Sequence, residues 1–423
     1  MPNISTVDTS RSQFRRTVLP NGVRVVSEYS PSVRSVSVGV WIATGSRDES
    51  KEKCGISHFI EHMVFKGTDS RRMHHIAQRM ESVGGYLNAF TSKEYTCFYA
   101  RGLDEHLHRA LNVTCDLILA PVFPAKELDK EKEVVVEEIK MYEDVPEDLI
   151  FDRFEGAVYG DHPLGRPIVG YPETVRAFSR EDLVTRLSSH YTPERIVIAS
   201  AGNVDHERIV REVERLFDGL KRPCGSNGQA FRTVAPNPPP QHIQEGRSIQ
   251  QAHIVIGGRS FGLSDPRRGA LSVLNTVLGG GMSSRLNQNI REKYGYCYQI
   301  YSFANMLSDT ADFGVYMATD GSKVDHARRL IHRELNRMVS RSISPRQLSQ
   351  AKSQLKGSLM LGLESLSHRM SRLGRLEMYD REFVSLDDII EEVNAVTAED
   401  VRQVAADLFD LDQLSTVVFV PER

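Results

Sequence analysis

The alternation of hydrophobic and polar positions changes period several times along the first half of the chain. Residues 21–29 (NGVRVVSEY) alternate with the two-residue period of a strand, and residues 35–45 are almost continuously apolar or small, as in a buried strand. From about 55 to 83 the apolar spacing becomes helical, with a break near 67–70. Residues 86–102 return to a strand pattern. These changes predict an α+β fold in which strands and amphipathic helices are mixed.

A second set of elements leads to a boundary in the middle of the chain. The pattern predicts a long charged helix over 124–144, a buried strand over 195–202 and a helix over 205–220. Residues 221–246 are then rich in proline, glycine and polar side chains, a composition typical of an extended connector. We therefore predict an N-terminal half (1–220), a linker (221–246) and a C-terminal half (247–423).

The order of elements after the linker repeats the order before it. QAHIVIGGRSFG (251–262) resembles SVSVGVWIATGS (35–46), and GALSVLNTVLGGG (269–281) stands where CGISHFIEHMVFKG (54–67) stands in the first half. The final segment LSTVVFVPE likewise parallels RIVIASAGN. Repetition in a fixed order predicts two homologous α/β-sandwich halves, each with a mixed, mainly antiparallel sheet packed with helices. We expect them to form a clamshell around a cleft.

Composition and charge narrow the classes of partner. The 53 Lys and Arg residues nearly balance the 56 Asp and Glu residues, which gives a formal net charge of −3 and no electrostatic case for nucleic acid or an anionic membrane. No apolar run is long enough to span a membrane, and the start of the chain lacks the apolar segment of a secretory signal. The five cysteines are dispersed, without a CxxC pair. We expect a cytoplasmic protein, with the mitochondrial matrix as the alternative because three arginines near the N-terminus resemble a transit peptide.

The strongest chemical signal is the sequence His58-Phe59-Ile60-Glu61-His62. On a helix, His58 and His62 share one face one turn apart and can bind the same metal ion. Glu61 borders that face, where a carboxylate can accept a proton from an activated water. Paired histidines on a helix are also common without a metal, so the motif alone leaves both interpretations open.

The long acidic helix supplies candidates for a third ligand. Glu131 and Glu138 are seven residues apart, on one stripe with Val134 and Val135, so we expect the stripe to be buried. Buried carboxylates need a cation or a proton. A solvated acidic face explains Glu137 and the other acids better than it explains these two.

HFIEHMVFKGT, followed by EKEVVVEEI, resembles the pitrilysin/insulinase (inverzincin) metallopeptidases over essentially the whole chain. Within that family it is most similar to bacterial processing-protease-like peptidases and to the β subunit of the mitochondrial processing peptidase. The resemblance implies that His58, His62 and Glu138 bind one Zn²⁺ per chain and that Glu61 is the general base. It also implies that Glu131, which lies next to the ligands without binding zinc, is needed for catalytic activity.

Two further segments match the family. GGYLNAFTSKEYTCFYA resembles its substrate-binding edge strand, which implies that Asn88, Ala89 and Phe90 bind an extended peptide by main-chain pairing. RLNQNIREKYGYCY resembles a segment whose Arg and Tyr contact substrate and stabilise the oxyanion, here Arg291 and Tyr298. From composition alone, an ordinary strand is equally natural for the first segment. For the second, the sequence alone favours a surface salt bridge for Arg291 and a core position for Tyr298, and the family resemblance reverses that preference.

The second half lacks the metal-binding residues. The repeat places Leu271, Leu274 and Asn275 where the first half has His58, Glu61 and His62. We therefore expect a zinc-dependent endopeptidase acting on peptides or unfolded, presequence-like segments in a closed chamber, most similar to family members that form homodimers. The alternatives are the β subunit of a heterodimeric organellar processing peptidase and a non-catalytic protein like the core subunits of the respiratory cytochrome bc complex.

Overall fold

The computed structural model describes residues 4–9, 12–220, 232–379 and 383–422. The described strands are β1 (Ile4–Thr9), β2 (Ser12–Val18), β3 (Arg24–Tyr29), β4 (Ser35–Ile42), β5 (Tyr86–Thr91), β6 (Thr96–Leu103), β7 (Ile196–Gly202), β8 (His242–Arg247), β9 (Ala252–Phe261), β10 (Gln299–Met306), β11 (Thr310–Thr319) and β12 (Ser415–Pro421). The described α-helices are α1 (Ile56–Val64), α2 (Met73–Glu81), α3 (Leu107–Leu119), α4 (Ala125–Glu143), α5 (Pro146–Tyr159), α6 (Pro172–Arg176), α7 (Arg180–His190), α8 (His206–Phe217), α9 (Arg268–Gly279), α10 (Val324–Ser340), α11 (Pro345–Gly362), α12 (Leu366–Met378), α13 (Leu386–Ala395) and α14 (Ala398–Leu408).

The strands form two sheets whose shared part has one topology. The first sheet has the order β1-β2-β3-β7-β4-β6-β5 and the second has β10-β11-β9-β12-β8. Matching β3 to β8, β4 to β9, β5 to β10, β6 to β11 and β7 to β12 makes the five common strands run in the same order. β3 and β7 pair in parallel, as do β8 and β12, and the other pairs in this common part are antiparallel. The predicted duplication and the mixed, mainly antiparallel sheets are confirmed.

Each sheet buries both faces against helices. In the first sheet, one face packs on α1, α3 and α8, and the opposite face packs on α12, where the indole Nε1 of Trp41 lies 3.3 Å from Sδ of Met370. In the second sheet, one face packs on α9, α10 and α14, and the other packs on α5 through Phe154 and Tyr159. The inner strands β4, β7 and β11 are almost fully buried because both sheet faces are covered, which explains the nearly continuous apolar run of β4.

The helices α5 and α12 change the domain division that the sequence predicts. One compact unit comprises residues 1–139, 167–232 and 361–385, and the other comprises residues 140–166, 233–360 and 386–423. The predicted halves, 1–220 and 247–423, therefore differ from these units, because each half contributes one helix to the sheet of the other unit. Local patterning does not distinguish the two sheets as partners for an apolar helix, so this exchange is not visible in the sequence.

The end of the predicted linker and the start of the chain also differ from expectation. Residues 221–231 lie outside the described part, but residues 242–246, assigned to the linker, belong to strand β8. β8 is a mostly polar strand at the edge of its sheet, so it lacks the apolar alternation that marks a strand. The segment before residue 21, in which the hydrophobic pattern predicted no strand, supplies β1 and β2 at the edge of the first sheet.

Among the helices that the structure describes, none combines the length and apolar character needed to cross a membrane.

Candidate metal centre

Helix α1 carries the HxxEH sequence, and specific contacts at its N-terminus hold it in place. Gly55 precedes it with a φ of +92°, and a Cβ there would lie 2.7 Å from the backbone oxygen of Val169. The carboxylate of Glu49 accepts hydrogen bonds from the backbone N–H groups of Gly55 and Ser57, at 2.7 and 2.8 Å. Burial raises the pKa of Glu49 to about 7, against the opposing charge of Arg186. These contacts fix the position of the helix that carries the motif.

The structure brings His58, His62 and Glu138 together. Their ligand atoms all lie within 4.8 Å of one another, and within the described residues this is the one group of three or more His, Cys, Asp or Glu side chains with such spacing. Nε2 of His58 lies 3.7 Å from Oε1 of Glu138, and Nε2 of His62 lies 3.4 Å from Oε2. Both histidines thus direct Nε2 toward one carboxylate on α4.

These atoms fit a zinc ion. Two donors that each lie 2.0–2.1 Å from a tetrahedral metal are about 3.3 Å apart, close to the observed separations. Two imidazoles and one carboxylate form a known ligand set for catalytic zinc, which leaves a fourth position open. Burial, and then the neighbouring His62, lower the pKa of His58 to about 3, which keeps this imidazole neutral and able to donate a lone pair.

Glu131 contacts His62 from the side of the ring away from Glu138. Nδ1 of His62 lies 2.9 Å from Oε1 of Glu131, while Nζ of Lys66 lies 2.6 Å from the other carboxylate oxygen. Burial alone would raise the pKa of Glu131, but the hydrogen bonds from His62 and Lys66 outweigh it and lower the pKa. Burial disfavours the charged form of His62 and lowers its pKa. The hydrogen bond with Glu131 and the negative charges of Glu138 and Glu131 outweigh burial, so the pKa of His62 is raised overall.

The stripe on α4 is only partly buried, which corrects one expectation. Glu131 and Val135 are buried, but Val134, expected on the same buried stripe, is 51% exposed. Glu138 is partly exposed, with 23% of its side-chain surface accessible. The helix therefore places the Glu131 carboxylate in the protein interior and the Glu138 carboxylate at an accessible position.

Glu61 stands apart from the three ligand atoms and has its own partner. Its Oε2 accepts a hydrogen bond of 2.6 Å from the Thr91 hydroxyl, at the end of β5. Burial raises the pKa of Glu61, while the Thr91 hydroxyl and the positive charge of His62 oppose that change. The carboxylate is thus oriented beside the His-His-Glu group without belonging to it, as a proton acceptor has to be.

The candidate substrate residues lie on β5, which is the outer strand of its sheet. The Asn88 side chain accepts a hydrogen bond from the backbone N–H of Ala89 and donates one to the Tyr86 hydroxyl, at 2.9 and 2.7 Å. Ala89 is buried against α1, and Phe90 packs edge-on against Trp41 on the opposite face. The predicted edge position of this strand is confirmed, and peptide binding by it stays a prediction.

Arg291 and Tyr298 belong to the second compact unit, where the structure brings them together. Arg291 lies in a π-helical segment, Asn287–Glu292, and its guanidinium carbon is 5.6 Å from the centroid of the Tyr298 ring. Tyr298 is 82% exposed, so the alternative of a core tyrosine is wrong. In the same unit, Leu271 and Leu274 are buried core residues of α9.

Sequence reasoning missed three residues that contact this site. Lys66 binds Glu131, Thr91 binds Glu61, and Glu49 caps α1. Lys66 follows His62 by four residues, so helical spacing could have placed it near the same face. Thr91 and Glu49 have no such signal, because strand pairing and loop geometry bring them to α1.

The sequence matches known protein families and relatives over most of its length. Residues 24–171 match the family described as Insulinase (Peptidase family M16), and residues 177–355 match its Peptidase M16 inactive domain. The chain is 42% identical over 399 residues to the uncharacterized zinc protease YmxG of Bacillus subtilis, which covers 94% of this chain and 96% of that protein. It is 40% identical over 404 residues to the uncharacterized zinc protease SCO5738 of Streptomyces coelicolor, which covers 93% and 87%.

Solved structures show the same fold at lower sequence identity. A protease from Helicobacter pylori superposes with a TM-score of 0.90 and 21% identity over the whole of both chains. A peptidase M16 inactive domain protein from Pseudomonas fluorescens gives a TM-score of 0.89 and 20% identity, covering 100% of this chain and 98% of that one. Because relatives that are 40–42% identical cover 93–94% of this chain, the chain belongs to the M16 (insulinase) peptidase family.

Proposed function

We propose that this protein is a zinc-dependent endopeptidase that cleaves peptides or unfolded, presequence-like segments bound in an extended form. The observation that carries the proposal is the convergence of His58, His62 and Glu138, with Glu61 beside them. Membership of a peptidase family and relatives named as zinc proteases support it.

His58 and His62 would hold the zinc ion through Nε2 and Glu138 through its carboxylate, with one ion per chain. When bound, zinc polarises a carbonyl oxygen and lowers the pKa of a water molecule to about 7. Glu131 keeps the His62 imidazole in one orientation because it binds Nδ1 on the side away from the ligand atom. The ligand geometry therefore depends on a buried carboxylate as well as on the ligands.

Glu61 would act as the general base and then as the general acid. It accepts a proton from the attacking water as the scissile carbonyl becomes tetrahedral, and it delivers that proton to the leaving amide nitrogen as the C–N bond breaks. Its raised pKa favours this exchange, because a carboxyl group with a pKa nearer neutrality both accepts and returns a proton readily.

The peptide would pair with the edge of β5, beside Asn88, Ala89 and Phe90, as an added strand. Main-chain pairing reads little of the peptide sequence, so we expect broad specificity. Arg291 and Tyr298 would donate hydrogen bonds to substrate and to the developing oxyanion.

Two other functions remain to be distinguished from this one. The β subunit of a heterodimeric processing peptidase would need a separate partner chain, whereas we propose an active homodimer. A non-catalytic core-type homologue is disfavoured because the sequence keeps the motif residues His58, Glu61 and His62 as well as Glu138. His58, His62 and Glu138 also lie close together. We propose a cytoplasmic location, since the relatives named above are bacterial.

The deciding experiment compares wild type with Glu61→Gln. Zinc per chain and hydrolysis of a quenched fluorescent peptide of about 10–20 residues are measured on the same preparations. We expect one zinc in each protein and a kcat at least about 100-fold lower in the variant, the usual contribution of general acid–base catalysis. Zinc without activity in wild type, with activity restored by a partner chain, would establish the β-subunit function. Absence of zinc from wild type prepared without chelator would overturn the catalytic proposal.

A further inference from the structure

Glu61 is held by a residue of the strand on which the peptide is expected to lie. Its Oε2 is 2.6 Å from Oγ1 of Thr91, the last residue of β5. An ionised carboxylate only accepts hydrogen bonds, so the Thr91 hydroxyl is the donor. One residue of the edge strand therefore directs a hydrogen-bond donor at the candidate base.

Strand alternation explains why Thr91 reaches α1. Side chains along β5 point alternately to opposite faces of the sheet, so Leu87, Ala89 and Thr91 share the face that packs on α1. Tyr86 and Phe90 belong to the other face, where they contact Tyr99. Thr91 is the next residue after Ala89 on this face. From there its side chain reaches Glu61 in the middle of α1.

The bond restricts a side chain that otherwise has considerable freedom. A glutamate has several rotatable bonds, and a catalytic group has to be held within about 0.5 Å of its working position. Glu61 is not one of the three candidate metal ligands, so coordination of a metal ion would not orient its carboxylate. Thr91 fixes one carboxylate oxygen and leaves the other available for the proton that the reaction transfers.

We propose that Thr91 is a positioning residue that orients Glu61 and couples this base to the substrate-binding edge of β5. The inference rests on the proposed peptidase function and deepens it. A peptide that adds to β5 would pair with the same strand whose last residue holds the Glu61 carboxylate. That strand would then set the distance between the Glu61 carboxylate and the scissile bond. Thr91 acts through Glu61 and exchanges no proton with substrate.

Three variants test this role. Thr91→Val keeps the shape and the β-branched side chain but removes the hydroxyl donor, while Thr91→Ser keeps the donor. Thr96→Val is the matched control, because Thr96 lies opposite Thr91 on β6 and its hydroxyl donates to the backbone oxygen of Thr44, away from Glu61. kcat and KM for the quenched peptide, zinc per chain and thermal unfolding are measured for each.

We expect Thr91→Val to lower kcat by about 10- to 30-fold, a part of the full general-base contribution, with KM and zinc content within twofold of wild type. Thr91→Ser should remain within about threefold of wild type, and Thr96→Val should retain kcat even if it unfolds at a lower temperature. If Thr91→Val does not fold, Thr91→Ala provides the same loss of the donor in a smaller side chain.

Several results would overturn the inference while leaving the peptidase intact. These are an unchanged kcat in Thr91→Val, a loss in Thr91→Ser equal to that in Thr91→Val, or an equal loss in Thr96→Val. A wild-type protein that binds zinc but cleaves no peptide in any assembly would instead refute the proposed function, and this inference with it.

Discussion

Nδ1 of His62 lies 2.9 Å from Oε1 of Glu131, on the opposite side of the ring from the Nε2 atom that faces Glu138. One imidazole thus connects two carboxylates of α4 that are two helical turns apart. The buried carboxylate selects the tautomer that leaves Nε2 free to bind a metal. The candidate zinc site therefore includes Glu131 even though that residue is not among its ligands.

Replacing Glu131 tests this connection. Glu131→Gln keeps the side-chain volume and one acceptor but removes the negative charge shared by His62 and Lys66. We expect zinc affinity to fall by about 10- to 100-fold, the usual effect of losing a partner of a metal-bound histidine. Competition with a chelator of known affinity measures it. Glu127→Gln, in the first turn of the same helix, should bind zinc like wild type.

Removing the third ligand should abolish zinc-dependent stabilisation. A metal that binds only the folded state at 100 times its Kd raises the free energy of unfolding by about 2.7 kcal/mol. We expect chelation to remove this stabilisation and the activity from wild type, and zinc to restore both. Glu138→Ala should unfold identically with zinc or chelator. The control Glu133→Ala changes an exposed carboxylate of the same helix and should respond to zinc as wild type does. An undiminished response in Glu138→Ala would exclude Glu138 as a ligand.

Arg291 and Tyr298 should affect catalysis and not folding. Tyr298 is highly exposed, and Arg291 contacts its ring and the exposed carboxylate of Glu292, so truncation leaves no buried group unpaired. If they stabilise an oxyanion, Arg291→Ala should lower kcat by about 100-fold and Tyr298→Phe by a smaller factor, with unchanged zinc content and unfolding temperature. Arg346→Ala, an exposed arginine in the same unit, is the control. Equal kcat in Arg291→Ala and Arg346→Ala would remove Arg291 from the mechanism.

Close packing of α12 on the first sheet makes a glycine indispensable. A Cβ on Gly374 would lie 2.4 Å from the Trp41 indole, a fully buried side chain with no space to move. We expect Gly374→Ala to lower the free energy of unfolding by about 1–3 kcal/mol, the usual cost of overpacking. Gly357→Ala on α11 meets open space and should instead stabilise by about 0.5–1 kcal/mol, because alanine favours helix. Urea unfolding of both variants measures the difference. Similar changes in the free energy of unfolding for Gly374→Ala and Gly357→Ala would show that α12 does not pack on Trp41.

The sequence predicted local and repeated features well. HxxEH spacing, the seven-residue interval on α4 and the repeated order of strands all depend on periodicity, which a chain reveals directly. The exchange of α5 and α12 depends on which of two similar sheets each apolar helix covers, and periodicity carries no such information. Thr91 and Glu49 were missed for the same reason: their roles arise from the approach of a strand and a loop to α1.

A buried histidine far from the motif predicts a pH dependence of stability. The two ring nitrogens of His206 lie 2.9 Å from the Thr17 hydroxyl and 2.7 Å from the Ser27 hydroxyl. Burial, and then the positive charge of Arg15, lower the pKa of His206 to about 4, whereas an unfolded histidine titrates near 6.5. Between these values the unfolded chain binds more protons than the folded chain, so stability falls as pH falls through this window.

The effect of His206 can be separated from that of the other titrating groups. His206→Gln keeps hydrogen-bonding capacity toward Thr17 and Ser27 but cannot ionise. We expect its free energy of unfolding to approach or exceed that of wild type as pH falls from 7 to 4.5, with the gap between them changing by on the order of 2 kcal/mol. Unfolding is measured with chelator present, so that metal release contributes nothing. His75→Gln, at an exposed position on α2, serves as the control. Parallel pH profiles for wild type and His206→Gln would contradict the prediction, because they would mean that the folded protein protonates His206 as readily as the unfolded chain does.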